Sequence, residues 1–174
     1  PVVQATSEFL FIATNAWSDE GKAQTRLHVI DLRTPGQPLT VATQLPLAGQ
    51  VRNRFQISYA NGIVTTVSES GGAIIETWDL NHALLGTGPG PPRPLDALLV
   101  GANESLFATR FDGTRVYVVT FRRIDPLFCV DLANPADLRL LGELEVPGFS
   151  TYLDVFADGE RLLSLGVEDS RVAV

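Results

Sequence analysis

The sequence predicts an all-β fold made of repeated, four-stranded antiparallel sheets, and three observations support this prediction. The first is a turn signal that recurs between short apolar runs of the 174-residue chain. Asn-Gly and Asp-Gly pairs between alternating hydrophobic residues favour two-residue hairpin turns, because both residues tolerate the positive φ of a type I′ turn. Three such pairs recur with a period of roughly 50 residues, at Asn61-Gly62, Asp112-Gly113 and Asp158-Gly159.

The second observation is an aspartate that closes an apolar run three times with a similar period, at Asp31, Asp79 and Asp131. Two independent markers with one period indicate a repeated unit, and about 50 residues in four short strands are typical of a β-propeller blade. Residues that recur once in every blade are more typical of turns than of catalysis. We therefore expect these aspartates to accept hydrogen bonds from backbone N–H groups.

The third observation is a strand pattern that is apolar on both faces. In the segment 115–121, Val116 and Val118 face one way, and Tyr117 and Val119 face the other. A sheet with one wet face would alternate polar and apolar residues. Two apolar faces indicate a sheet that is packed between two neighbouring sheets, as a propeller blade is packed between the blades on either side.

The predicted strands follow this plan in order along the chain. The first unit has strands at 2–6, 9–14, 26–32 and 39–47. The second has strands at 55–60, 62–68, 73–80 and 95–101, and the third at 106–111, 115–121, 126–132 and 138–146. A fourth begins with strands at 151–156 and 161–167.

The whole chain, 1–174, is therefore predicted to be a partial β-propeller of about three and a half four-stranded blades. Its units cover residues 1–47, 54–101, 106–147 and the start of a fourth at 150–174. No helix is expected. Residues 79–88 come nearest to a helical pattern, but closely spaced glycines interrupt it, so residues 81–94 are predicted to be a long irregular connection.

The segment 110–166, and within it "DLANPADLRLLGEL" after the third strand of its unit, resembles the β-propeller domains of secreted and cell-surface prokaryotic proteins and their LVIVD repeats. The resemblance covers nearly the whole chain and is strongest over residues 106–167. The first unit lacks the Asn-Pro of this phrase, and the second replaces it with the long connection. The resemblance implies a propeller fold and an extracytoplasmic setting, in a secreted or envelope-anchored bacterial protein. It implies no shared catalytic residues.

Closed propellers have about four to eight blades. We therefore expect the chain to be a piece of a longer protein, whose remaining blades cover the apolar faces of the terminal sheets. Closure by a second copy of the chain is the alternative, because two copies would bring about seven blades together.

Composition and motifs exclude several classes of function. The formal net charge of −7 argues against a nucleic-acid partner, and no apolar run is long enough to span a membrane. No nucleotide-binding or hydrolase motif is present, and two histidines with one cysteine do not form a usual zinc site, so no cofactor or metal is expected. Cys129 lies in an apolar strand and is predicted to be a small buried hydrophobe rather than a nucleophile.

Candidate binding residues lie in the loops at one end of the predicted blades. In up-and-down sheets, the connections between the second and third strands, and those between one blade and the next, lie at the same end. Trp and Arg in such loops are typical of binding surfaces, although mixed charges also occur on any solvated rim. The candidates are Trp17, Asp19, Arg52, Arg54, Glu69, Arg122, Arg123 and Phe149.

The sequence thus predicts a non-enzymatic scaffold that presents this loop end to a protein or glycan partner. The alternative is a propeller hydrolase or lyase, with an active site over the central channel that further blades complete.

Overall fold

A computed structural model describes residues 1–18, 20–86, 90–121, 125–146, 149–156, 161–168 and 171–173. In these residues the chain forms four antiparallel sheets, numbered 1 to 4 in chain order. Within every sheet, strands that follow one another in sequence are also neighbours in space. This up-and-down arrangement, repeated along the chain, is that of a partial β-propeller, as the sequence predicts.

The bounds of the elements are as follows. Sheet 1 contains β1 (Val2–Ala5), β2 (Phe9–Trp17), β3 (Ala23–Asp31) and β4 (Val41–Leu47). A 3₁₀ turn at Arg54–Gln56 precedes sheet 2, which contains β5 (Ile57–Ala60), β6 (Ile63–Glu69), β7 (Ala73–Asp79) and β8 (Asp96–Val100). Sheet 3 contains β9 (Ser105–Asp112), β10 (Arg115–Phe121), β11 (Asp125–Asp131) and β12 (Arg139–Val146). Sheet 4 contains β13 (Phe149–Val155), β14 (Leu162–Glu168) and β15 (Arg171–Ala173).

Separate apolar layers hold adjacent sheets together. Between sheets 1 and 2, Phe11 and Leu27 pack against Val64 and Trp78, and all four side chains are buried. The ring of Phe9 meets the ring of Tyr59 edge-on in the same layer, with centroids 5.1 Å apart. Aromatic pairs of this geometry stabilise a core beyond the area that they bury.

Strand β10 contributes to two such layers. Val116 and Val118 are buried against sheet 2, whereas Val119 and Tyr117 pack with Leu153 of sheet 4. Sheet 3 is therefore apolar on both faces, which confirms the prediction made from the pattern of residues 115–121.

Polar links between sheets supplement these layers. Asp96 of sheet 2 accepts a hydrogen bond through Oδ2 from the backbone N–H of Leu138, which directly precedes β12 of sheet 3, at 2.7 Å. Nearby, the hydroxyl of Thr77 donates to the carbonyl of Pro135 at 2.5 Å. Between sheets 1 and 2, the hydroxyl of Tyr59 donates to Glu8 at 2.9 Å.

The hairpin turns confirm one predicted geometry and correct another. Asn61 and Gly62 have φ angles of 52° and 81°, which are the two positive values of a type I′ turn. At the second site Asp112 stays in β9, opposite Arg115, and the two-residue loop is Gly113-Thr114. Gly113 (φ 54°) is the loop residue with positive φ, as in type II′. Asp158-Gly159 lies outside the described residues.

The three recurring aspartates hold the turns after β3, β7 and β11, as predicted. The Oδ1 atom of each accepts a hydrogen bond from a backbone N–H group at 2.9–3.0 Å; the pairs are Asp31 with Arg33, Asp79 with His82 and Asp131 with Ala133. The side chain of Arg33 also donates to Asp31 and lowers the pKa of this carboxyl to about 2.

A short helix corrects the prediction that residues 81–94 are irregular throughout. Helix α1 (Leu80–Leu85) begins at Asp79, its N-cap, and ends at Gly86, whose φ of 58° is left-handed. Gly86, one of the glycines that argued against a helix in the sequence, only ends it. Among the described residues no helix has the length and apolarity needed to cross a membrane.

Candidate functional site: the loop face

The connections from β2 to β3 and from β6 to β7, with the links from sheet 1 to 2 and from sheet 2 to 3, lie at one end of the stacked sheets. We call this end the loop face; its described parts, with the strand ends that lead into the loops, are residues 17–18, 20–22, 48–56, 69–72 and 101–104. The geometry follows from strand direction alone, because even-numbered strands of each sheet all end here.

Glu69 is the central residue of the loop face. It ends β6, and its Oε1 atom lies 2.9 Å from Nη2 of Arg52. Its Oε2 atom accepts a hydrogen bond from the backbone N–H of Leu106 in sheet 3, at 2.8 Å. The backbone of Glu69 also exchanges two hydrogen bonds with Gln50, both at 2.9 Å. One residue thereby joins sheet 2, the link from sheet 1 and the first strand of sheet 3.

A capping box orders the link from sheet 1 to sheet 2. Asn53 caps the 3₁₀ turn by accepting from the N–H of Phe55, while Gln56 accepts from the N–H groups of Arg52 and Asn53. The amide nitrogen of Gln56 then donates to the carbonyl of Val67, at 3.0 Å. The spacing Asn53-x-x-Gln56 was the available sequence signal for this turn.

A buried carboxyl lies beneath this link. Glu76 of β7 is 3% exposed, and its Oε2 atom accepts a hydrogen bond from the backbone N–H of Ala48 at 3.0 Å. Burial raises the pKa of Glu76 to about 7, because the charged form loses its hydration. Sequence reasoning missed Glu76, because a single glutamate in a strand pattern does not indicate which residues of other segments will pack against its side chain.

The other candidate residues are arranged differently. Trp17 ends β2 with 73% of its surface exposed, and the guanidinium of Arg54 lies 5.2 Å from the ring centre of Phe55. Arg52 and Glu69 are the two predicted candidates that the structure brings into direct contact, through their ion pair. Phe149 is the first residue of β13, where its backbone pairs with Val167. Asp19, Arg122 and Arg123 lie outside the described residues.

A groove runs beside the loop face, between the first strands of sheets 1, 2 and 3. Its cavity volume is about 340 Å³. The described residues that line it are Gln4, Thr6, Arg54, Phe55, Ile57, Ser58, Tyr59, Thr109, Arg110 and Phe111. Arg54 is common to the groove and to the predicted loop face. Sequence reasoning missed the rest, because the residues come from three different sheets.

No group of three or more His, Cys, Asp or Glu side chains that could hold a metal ion occurs among the described residues. Cys129 is partly buried in β11, and burial raises the pKa of its thiol. A thiol in this environment is disfavoured as a thiolate nucleophile.

Stacked, up-and-down antiparallel sheets with apolar layers between them define a protein of the β-propeller class. The chain belongs to the beta propeller domain family, whose model matches residues 2–173.

Two relatives are archaeal. An uncharacterized protein of Archaeoglobus fulgidus is 35% identical over 135 residues, which is 71% of this chain and 19% of that protein. An uncharacterized protein of Methanocaldococcus jannaschii is 50% identical over 66 residues, which is 38% of this chain and 10% of that protein. The chain thus spans a small part of the length of these relatives. The LVIVD-like repeats and the bacterial, extracytoplasmic setting stay predictions.

Proposed function

We propose that this propeller segment is a non-enzymatic binding scaffold, which presents the loop face to a protein or glycan partner. The observation that carries the proposal is the double attachment of Glu69, to Arg52 and to the backbone of Leu106. A surface whose loops are already ordered loses little conformational entropy when a partner binds, so more of the contact energy appears as affinity.

Residues suited to contact a partner lie at the same end of the sheets as this network. Trp17 is largely exposed at the end of β2, and Arg52 keeps 57% of its side chain exposed while it pairs with Glu69. Tryptophan and arginine are enriched among the residues that dominate binding energy at interfaces. The indole face also suits the apolar face of a sugar ring.

We further propose that other blades of a longer chain cover the outer face of sheet 1. Val3 and Val41 lie on that face with 51% and 47% of their surface exposed, and the relatives extend well beyond the matched region. In sedimentation experiments on the 174-residue chain, a folded monomer is expected, and a stable dimer would favour closure by a second copy.

The scaffold proposal is tested with glycan and peptide arrays probed by the fluorescently labelled chain. Trp17→Ala and Arg52→Ala should each weaken a saturable signal at least about tenfold, as expected for hot-spot residues. Arg139→Ala is the matched control, because Arg139 is an exposed arginine at the opposite end of sheet 3, paired with Asp137. Equal loss in all three variants, or in none, would contradict the proposal. Cleavage of an arrayed glycan would favour the hydrolase or lyase alternative instead.

A further inference from the structure

The groove between the first strands of sheets 1, 2 and 3 has the composition of a ligand site. Polar side chains line it from every sheet: Gln4 from the first, Ser58 from the second and Thr109 from the third. Three aromatic residues, Phe55, Tyr59 and Phe111, lie among them. The hydroxyl of Thr6, which also lines the groove, is engaged in its own turn with Glu8 and Phe9. The volume of about 340 Å³ is at the lower end of the range for small-molecule pockets.

The charge of the groove is opposite to that of the chain. Although the formal net charge is −7, the charged side chains among the described lining residues are Arg54 and Arg110. Arg110 is neutralised by Asp154 of sheet 4, at 2.7 Å. Arg54 forms no ion pair with the described residues and lies against Phe55, so its guanidinium is available to an anion.

A buried polar atom points to a missing partner at the same place. Thr109 is 7% exposed, and its hydroxyl has no hydrogen-bond partner among the described residues. Thr109 lies opposite Val118, on the face of sheet 3 that meets sheet 2, and Ser58 lies on the facing side of sheet 2. A buried hydroxyl without a partner destabilises the fold, and a ligand able to hydrogen-bond with it would offset this cost.

From these observations we infer that the groove binds a small carboxylated sugar. The hydroxyl and amide groups match the hydroxyls of a sugar, the rings of Phe55 and Tyr59 match its apolar C–H face, and Arg54 matches its carboxylate. A purely apolar ligand would leave Thr109 and Ser58 without partners. The inference does not rest on the loop-face function, with which it shares Arg54 and Phe55.

The test is a titration of the ¹⁵N-labelled chain with sodium glucuronate, followed by backbone amide shifts in NMR spectra. Glucose is the uncharged comparison and acetate the charge-only comparison. We expect saturable shifts at Ser58, Thr109 and Arg110 with glucuronate, and at least about tenfold weaker binding of glucose, because the charge-assisted contact to Arg54 is lost. No saturation with glucuronate, or equal shifts with acetate, would overturn the inference and leave water or an adventitious ion in the groove.

Variants separate this site from the loop face. Thr109→Val and Arg54→Gln should each weaken glucuronate binding at least about tenfold. Arg26→Gln should leave it unchanged, because Arg26 is exposed on the outer face of sheet 1. Thr109→Val keeps the side-chain shape and removes a buried unpaired hydroxyl, so we expect it to fold. Trp17→Ala should keep glucuronate binding even if it abolishes binding at the loop face. If Thr109→Val binds glucuronate with unchanged affinity, the proposed site is contradicted.

Discussion

Arg52, in the link from sheet 1 to sheet 2, forms an ion pair with Glu69 of sheet 2, with 2.9 Å between Nη2 and Oε1. The two partners differ in their surroundings, because the side chain of Arg52 is 57% exposed and that of Glu69 only 17%. Glu69 also accepts the hydrogen bond from the backbone of Leu106. The pair is therefore unequal, and the consequences of removing either partner should differ.

Removing Arg52 should have a small effect on stability, and removing Glu69 a larger one. Arg52→Ala is expected to cost under about 1 kcal/mol, because an exposed partner is screened by water. Glu69→Ala is expected to cost about 1–3 kcal/mol, because the N–H group of Leu106 loses its acceptor. Urea unfolding of both variants measures the difference. Equal losses would show that the contact with Leu106 contributes nothing.

The buried carboxyl of Glu76 should make the chain less stable as the pH rises. Its pKa is about 7 in the folded state and 4.5 in the unfolded state, so the folded state binds the proton more tightly. The resulting stability is fully present below pH 4.5 and is lost as the pH rises through 7. The loss is about 3 kcal/mol, at about 1.4 kcal/mol per tenfold change in proton affinity.

Glu76→Gln tests this linkage. Glutamine keeps an oxygen acceptor for the N–H group of Ala48 but does not ionise. Urea unfolding at pH 5 and pH 8 should show the fall in the parent chain and a much smaller one in the variant, which should be the more stable protein at pH 8. A variant that keeps the full pH dependence would assign it to another group.

The close approach of Gly49 to Glu69 leaves no room for a side chain. A Cβ atom on Gly49 would lie 2.5 Å from the carbonyl oxygen of Glu69, which is fixed in the bridge to Gln50. Gly49→Ala should cost about 1–3 kcal/mol through overpacking. Gly142→Ala is the control and should change stability by under about 0.5 kcal/mol, because no atom lies within 4 Å. Similar unfolding midpoints for both variants would refute this contact.

Two buried threonines at the boundary of sheets 1 and 2 should respond in opposite ways to valine. Thr66 has no hydrogen-bond partner among the described residues, so Thr66→Val should raise stability by about 1 kcal/mol. The hydroxyl of Thr25 accepts from the N–H group of Val51 at 2.9 Å, so Thr25→Val should lower it by about 1–3 kcal/mol. Thermal unfolding of the two variants measures whether each substitution raises or lowers stability. A loss of stability in Thr66→Val would reveal an unseen partner for its hydroxyl.

The repetitive part of the fold was accessible from the sequence because local patterns encode it. Alternating residues such as Val116 and Tyr117 report which face of a strand is covered, and Asn61-Gly62 reports its turn by the φ angles that it tolerates. Strand ends were less accessible. Strand β2 runs to Trp17, three residues past its predicted end, because pairing with Ala23 extends the hairpin.

The site was less accessible, because its contacts join residues that are distant in sequence. Arg52 and Glu69 could be assigned to one end of the sheets from strand direction, but their pairing depends on how adjacent sheets are offset. The same holds for Thr109, which reaches the groove only through the packing of sheet 3 on sheet 2. Strand β15 carried too short a pattern to be predicted.

Sheets 2 and 3 are clamped at opposite ends, by Glu69 at one and by Asp96 and Thr77 at the other. For these two sheets to rotate relative to each other, the hydrogen bonds at one of the two ends would have to break. Under a pulling force on the chain, this pair should therefore yield as a single mechanical block, and peeling should start elsewhere.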